Sequence, residues 1–239
     1  MSDPSKPFKE MWDDTQRWTQ EDVDAVLRGI VSIVPPVPFS DEQKRLMRAE
    51  SRARRAYARF ARWIPKGLDL ALCSRLVRQP RQLSLLREYY GYRDEKSAQP
   101  GWAFWLPQVE RGATGSLEQA LKAFSVRVGK TEEQAVRLPS LVELFWLCAF
   151  EHKTAEEWPA RRRTYLSDTV LKGHRIGLAV EPHGESMSLE FLFVPDGVPN
   201  DHGISPILLH PHAGLSACSA LVSSGAFSFF VRRGILRGL

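Results

Sequence analysis

The chain has 239 residues, 43% of them apolar and 26% charged, and a formal net charge of +5. That is the composition of a globular protein with a sizeable core, in one large domain or two small ones. No run approaches the ~20 continuous apolar residues of a membrane span, and Cys73, Cys148 and Cys218 lie too far apart for a disulfide framework or a zinc ribbon.

The first residues, Met1-Ser2-Asp3-Pro4-Ser5-Lys6, form no apolar signal core, which gives a cytoplasmic expectation. Residues 1–39 carry four Lys or Arg against seven Asp or Glu, hence 4 − 7 = −3. They read as an acidic arm, with Trp12 and Trp18 as anchors and a short helix over 20–33. The proline run Val34-Pro35-Pro36-Val37-Pro38 breaks that helix.

Residues 40–93 reverse the charge, with fourteen basic and five acidic residues, hence 14 − 5 = +9. Ser40-Asp41-Glu42-Gln43 has the spacing of a capping box, and Pro65 and Gly67 supply the stop. Between them Arg45, Arg48, Arg52, Arg55, Arg59 and Arg62 recur at helical spacing. On one continuous helix they fall within an arc of roughly 100° over about 26 Å. Leu46, Ala49, Ala53, Tyr57, Phe60 and Ile64 then form the apolar stripe opposite. Glu50 is the one acid inside the run, so local pairing does not neutralise it. Arginine offers planar, bidentate donors to phosphate, so the face reads as a polyanion-binding ladder, with Tyr57 and Trp63 near enough to stack or to pack. An acidic protein surface is the alternative partner.

Shorter helices are expected near 69–78 and 80–90, then an irregular link over 91–115. Capping-box spacings at Ser116/Gln119, Thr131/Gln134, Ser140/Glu143 and Thr154/Glu157 predict further helices. The third opens Leu141–Phe150, apolar nearly all round and therefore the most buried. After Arg163 the pattern changes. Arg175–Glu181 and Ser186–Val194 read as strands, followed by a Gly/Pro loop and an apolar run at Ile207–Leu209. The expected class is α+β, mostly helical over the N-terminal two-thirds and followed by a small antiparallel or mixed sheet. The expected organisation is the arm (1–39), a helical region (40–160) and a β-containing region (161–239) packed on the helices as one globular unit.

Other chemistry is sparse. His210 and His212, with Asp201, His202 and Cys218, have ligand-type side chains, but their spacing follows no standard zinc pattern, so no metal is assigned. Glu151-x-Lys153, Asp168, Glu181, Glu185 and Glu190 supply carboxylates near the strands, the raw material of a metal-dependent nuclease or other hydrolase without its constellation. Arg161-Arg162-Arg163 reads as a local ion-pair network. No Walker loop, dinucleotide fingerprint or nucleophile elbow is present, and no cofactor is assigned.

The stretch Arg54-Arg55-Ala56-Tyr57-Ala58-Arg59-Phe60-Ala61-Arg62-Trp63-Ile64-Pro65-Lys66-Gly67, continuing through Leu83, resembles plasmid-encoded fertility-inhibition proteins, including the oncogenic-suppression type. The resemblance covers residues 45–90. It implies inhibition of conjugative DNA transfer, exerted on a type IV secretion apparatus or its DNA cargo. For the oncogenic-suppression branch it implies a ParB/sulfiredoxin-like fold with nuclease and ATPase activity. The Gly-Glu-x-Arg box of that fold has no counterpart here, and Gly173-His174-Arg175 is the nearest segment, read as a turn entering a strand.

Overall fold

The computed structural model describes residues 37–53, 62–65, 67–73, 83–93, 100–105, 117–154, 162–183, 186–195 and 204–211. In chain order the elements are α1 (Asp41–Ala53), β1 (Arg62–Ile64), α2 (Leu70–Cys73), α3 (Leu83–Glu88), β2 (Gly101–Trp105) and α4 (Leu117–Arg127). They continue with β3 (Ala135–Arg137), α5 (Leu141–Thr154), β4 (Arg163–Leu171), β5 (His174–His183), β6 (Ser186–Pro195) and β7 (Ile207–Pro211). The arm and its short helix, up to residue 36, lie outside the described residues.

The strands form two antiparallel sheets, one in the order β1-β2-β7-β3 and one in the order β4-β5-β6. The second is a meander. Its β4–β5 turn is Lys172-Gly173, with both φ angles positive, at 47° and 74°. That is the backbone of a tight two-residue hairpin.

The first sheet corrects the expected architecture. The described chain is not mostly helical: helix and strand take almost equal shares of it, 36% and 37%. Three strands of the first sheet come from segments read as helix or link. Arg62–Ile64 has a helix-compatible pattern but pairs with β2, Trp63 opposite Trp102. Gly101–Trp105 shows no polar alternation because both of its faces are covered. Thr131/Gln134 mimics a capping box but makes a turn into β3, with Gln134 Oε1 accepting from the Thr131 N–H at 3.1 Å.

Alternation along β2 and β7 divides two cores. Ala103, Trp105, Ile207 and Leu209 face the larger, and Phe104 and Leu208 the smaller. Ile207, Leu208 and Leu209 are all fully buried, each side chain contributing about 1.5–3 kcal/mol. The smaller core is closed by Phe39 and Met47 from the α1 side and by Phe124 and Val128 from the α4 side. The larger gathers α5, from Leu141 to Ala149, against residues of both sheets, including Tyr165, Ile176, Leu178, Val180, Leu189 and Phe191. The expectation for this helix holds: it is buried nearly all round.

Its start is built as the sequence suggested. Glu143 N donates to Ser140 Oγ at 3.3 Å, and Ser140 N donates to Glu143 Oε2 at 2.8 Å. Arg137 clasps the same carboxylate with two bonds of 2.6 and 2.7 Å. Further along, Trp146 Nε1 donates to Trp63 O at 2.9 Å, tying the helix to β1.

Candidate anion-binding surface

The capping box at Ser40 forms in both directions: Gln43 N donates to Ser40 Oγ at 3.2 Å, and Ser40 N to Gln43 Oε1 at 3.4 Å. From that start α1 buries Gln43, Met47 and Glu50 and leaves Asp41, Glu42, Arg45, Arg48 and Ala49 exposed. The inward face is therefore turned from the expected stripe, with Ala49 outside and the polar Gln43 and Glu50 inside.

The arginine run divides. Arg45 and Arg48 are exposed on α1. Arg52 belongs to the last turn of α1, and its side chain lies outside the described part, as do Arg55 and Arg59. Arg62 is a half-buried residue of β1. One continuous helix carrying all six is thus overturned, because Arg62 is itself part of a strand. Local counter-charge is also richer than the sequence suggested. Arg45 pairs with Glu42 at 2.7 Å and Lys44 with Asp41 at 3.1 Å, both one helical turn back. The hydrogen bond from Arg45 holds the Glu42 carboxyl below its ordinary value. Glu50 faces inward and pairs with Arg127 of α4 at 2.8 Å, so it does not neutralise the outer face.

His210 lies half-buried on β7. Its Nδ1 is 3.4 Å from Gln134 Nε2, and its ring stands edge-on to Phe39. His212, Asp201, His202 and Cys218 lie outside the described residues. Among the described residues no three His, Cys, Asp or Glu side chains converge as metal ligands. Of the carboxylates, Glu181 is held by Arg162 at 2.5 Å, and Glu190 lies 4.0 Å from the same guanidinium. Asp168 stands beside the Arg137–Glu143 pair. Loss of hydration raises its carboxyl above the ordinary value, against the pull of Arg137. Glu151 is half-buried near the end of α5; the Lys153 side chain and Glu185 lie outside the described part. Cys73 and Cys148 are buried, and burial raises both thiols well above the ordinary value, which leaves them poor nucleophiles.

One surface lies apart from every site expected from the sequence. Tyr89, just after α3, is 64% exposed, and its carbonyl accepts a hydrogen bond from Lys172 of the β4–β5 turn. The clue was the run Tyr89-Tyr90-Gly91-Tyr92 flanked by Arg87 and Arg93. Tyr90 stacks on Phe193 at 4.3 Å and meets His174 edge-on at 5.5 Å, while Tyr92 is buried.

Compared with known proteins, the chain matches no family model, no curated protein and no solved structure. Among the described residues no helix is long and apolar enough to cross a membrane.

Proposed function

We propose that the protein binds an anionic macromolecule, DNA or a type IV DNA-transfer complex, through the basic face that starts on α1, and thereby inhibits conjugative DNA transfer. One observation carries the binding part: α1 commits Gln43, Met47 and Glu50 to the interior and turns Arg45 and Arg48 outward within a segment of local charge +9. The pairs that Arg45 and Lys44 already make do not oppose the reading. Glu42 and Asp41 are exposed carboxylates on the same helix, and a phosphate can take their place without uncovering a buried charge. The setting in DNA transfer rests on the resemblance of residues 45–90 to fertility-inhibition proteins.

The test is retention on duplex and single-stranded DNA across a salt series, comparing the wild type with the double variant Arg45→Glu/Arg48→Glu. Affinity should fall with salt at a slope near −0.9 per phosphate contacted on a duplex, and losing two contacts flattens that slope by about 2. Equal retention and equal slope for both proteins would remove α1 from the reading. Retention by an acidic protein column, with none on DNA, would redirect the surface to a protein partner.

A further inference from the structure

We infer that Tyr89, with Arg87, Arg93 and Lys172 around it, is a stacking site for the bases of a single-stranded nucleic acid. The site belongs to α3 and the β4–β5 turn rather than to α1. It shares with the reading above only the class of partner.

Tyr89 presents a large aromatic side chain to solvent at 64% exposure, while Tyr90 beside it is half-buried. Tyr90 lies nearly parallel to Phe193, at 17°, and Tyr92 is buried. The backbone beneath the exposed ring is pinned at both ends of one residue. Tyr89 N donates to Leu85 O at 2.9 Å, and Tyr89 O accepts from Lys172 Nζ. A ring held on a fixed backbone loses less conformational freedom when a base settles on it.

The turn that supplies the lysine is itself unusual. Lys172 is the one non-glycine described residue with a positive φ, at 47°. A hairpin turn of this kind ordinarily places Asn, Asp or Gly there, because a branched-off Cβ is crowded in that region. The lysine is held in this conformation with its ammonium group against the Tyr89 carbonyl. Its aliphatic stem spans the two segments, and its charge stands against the backbone that carries the ring. Arg87 and Arg93 add exposed guanidinium groups two residues before and four residues after Tyr89, and among the described residues of this stretch Glu88 is the exposed carboxylate.

An exposed π-face flanked by cations matches a ligand that carries a flat ring and an anion in every repeating unit. A nucleic-acid strand is such a ligand. In a duplex both faces of each base are already covered by neighbouring bases, so the ring selects an open strand. An acidic peptide answers the cations but leaves the ring without a partner.

The experiment uses the full chain and fluorescence anisotropy of a labelled short oligothymidylate, with an abasic oligomer of the same length as control. Tyr89→Ala should weaken oligothymidylate binding roughly 5- to 150-fold, the range of one lost base stack, and Tyr89→Phe should retain it. The abasic strand should bind the wild type more weakly and be indifferent to Tyr89→Ala. Unchanged thermal midpoints confirm that an exposed substitution has not altered the fold. The inference is overturned if Tyr89→Ala binds oligothymidylate as the wild type does, or if removing the bases leaves wild-type affinity unchanged. The Arg45→Glu/Arg48→Glu protein separates the two readings. Loss there with a silent Tyr89→Ala overturns this site and keeps α1, and the opposite pattern keeps this site and removes α1.

Discussion

Replacing Arg137 by methionine removes the cation from a carboxylate that has nowhere to go. Glu143 is 3% exposed, and its two oxygens take bonds of 2.6 and 2.7 Å from Arg137. Stripping one partner from a buried ion pair costs about 3–5 kcal/mol, because the remaining charge keeps its desolvation penalty. Two features of this site lower the figure. Glu143 still accepts from Ser140 N at 2.8 Å, and it sits in the first turn of a fourteen-residue helix, where the dipole favours an anion. The Arg137 side chain is also 28% exposed, so water partly replaces it. The expected loss is therefore about 2–3 kcal/mol. Urea denaturation should show it as a lower midpoint at unchanged slope, and with a slope of ~2–3 kcal/mol per molar the midpoint moves by about 1 M. The companion variant Glu143→Gln keeps an acceptor for Ser140 N and should cost less than Arg137→Met. In the double variant the two losses should fall well short of additive. A loss below about 0.5 kcal/mol for Arg137→Met, or full additivity, would show that the pair does not hold α5 in place.

Burial of the thiols makes a second prediction. Cys73 and Cys148 should resist Ellman's reagent in the folded protein and react when denaturant is added; rapid reaction of both without denaturant would contradict their placement. The pH dependence follows from the same burial. Both thiols are raised above the ordinary value of 9.0, so the unfolded chain ionises them first. Their contribution to stability is complete below about pH 9 and declines as the pH rises through the folded values. Replacing both by alanine should flatten the alkaline limb of the stability curve. A third prediction concerns Gly177 of β5, where an added Cβ would overlap the Tyr165 carbonyl oxygen. The obstacle is backbone within a paired strand, so Gly177→Ala should cost at least ~2 kcal/mol in a denaturation midpoint; a neutral result would mean that the β4–β5 register differs from that described.

Elements whose residues answer to local rules were legible in the sequence. The Ser40 and Ser140 boxes, the all-round apolar Leu141–Ala149 segment and the late hairpin strands are set by neighbours a few residues away. The first sheet was not, because its strands are short and their partners are remote. Trp63 pairs with Trp102, and Leu208 with both Phe104 and Val136. Strands covered on both faces lose the alternation that betrays a strand. Arg62-Trp63-Ile64 shows the cost: its residues continue a helical period, and only the pairing with β2 assigns them to a sheet. The candidate site turned on the same segment, since a ladder of six arginines needs a helix through Arg62, which lies in β1. Tyr89 offered a local clue in its tyrosine run, but its setting was illegible for a related reason, because it depends on a lysine from a turn 83 residues further along the chain.

What orients the basic face of α1 is polar rather than apolar. Gln43 Nε2 donates to Gly129 O and to Gln134 Oε1, each at 2.8 Å, and Glu50 accepts from Arg127 at 2.8 Å. Two of these bonds lock α1 to the C-terminal end of α4, where the Arg127 cation is also favoured by the helix dipole, and the one to Gln134 ties it to the turn into β3. Gly129 permits the approach, since a Cβ there would stand 2.7 Å from Leu46 Cδ1. With Gln43 and Glu50 fixed inward, positions 45 and 48 are carried outward by the helical period of about 100° per residue. A stripe chosen by hydrophobicity alone would have faced Leu46 and Ala49 inward, about a quarter turn from the face that is buried. Buried hydrogen bonding thus sets the rotation of α1, and with it the charge that any anionic partner meets.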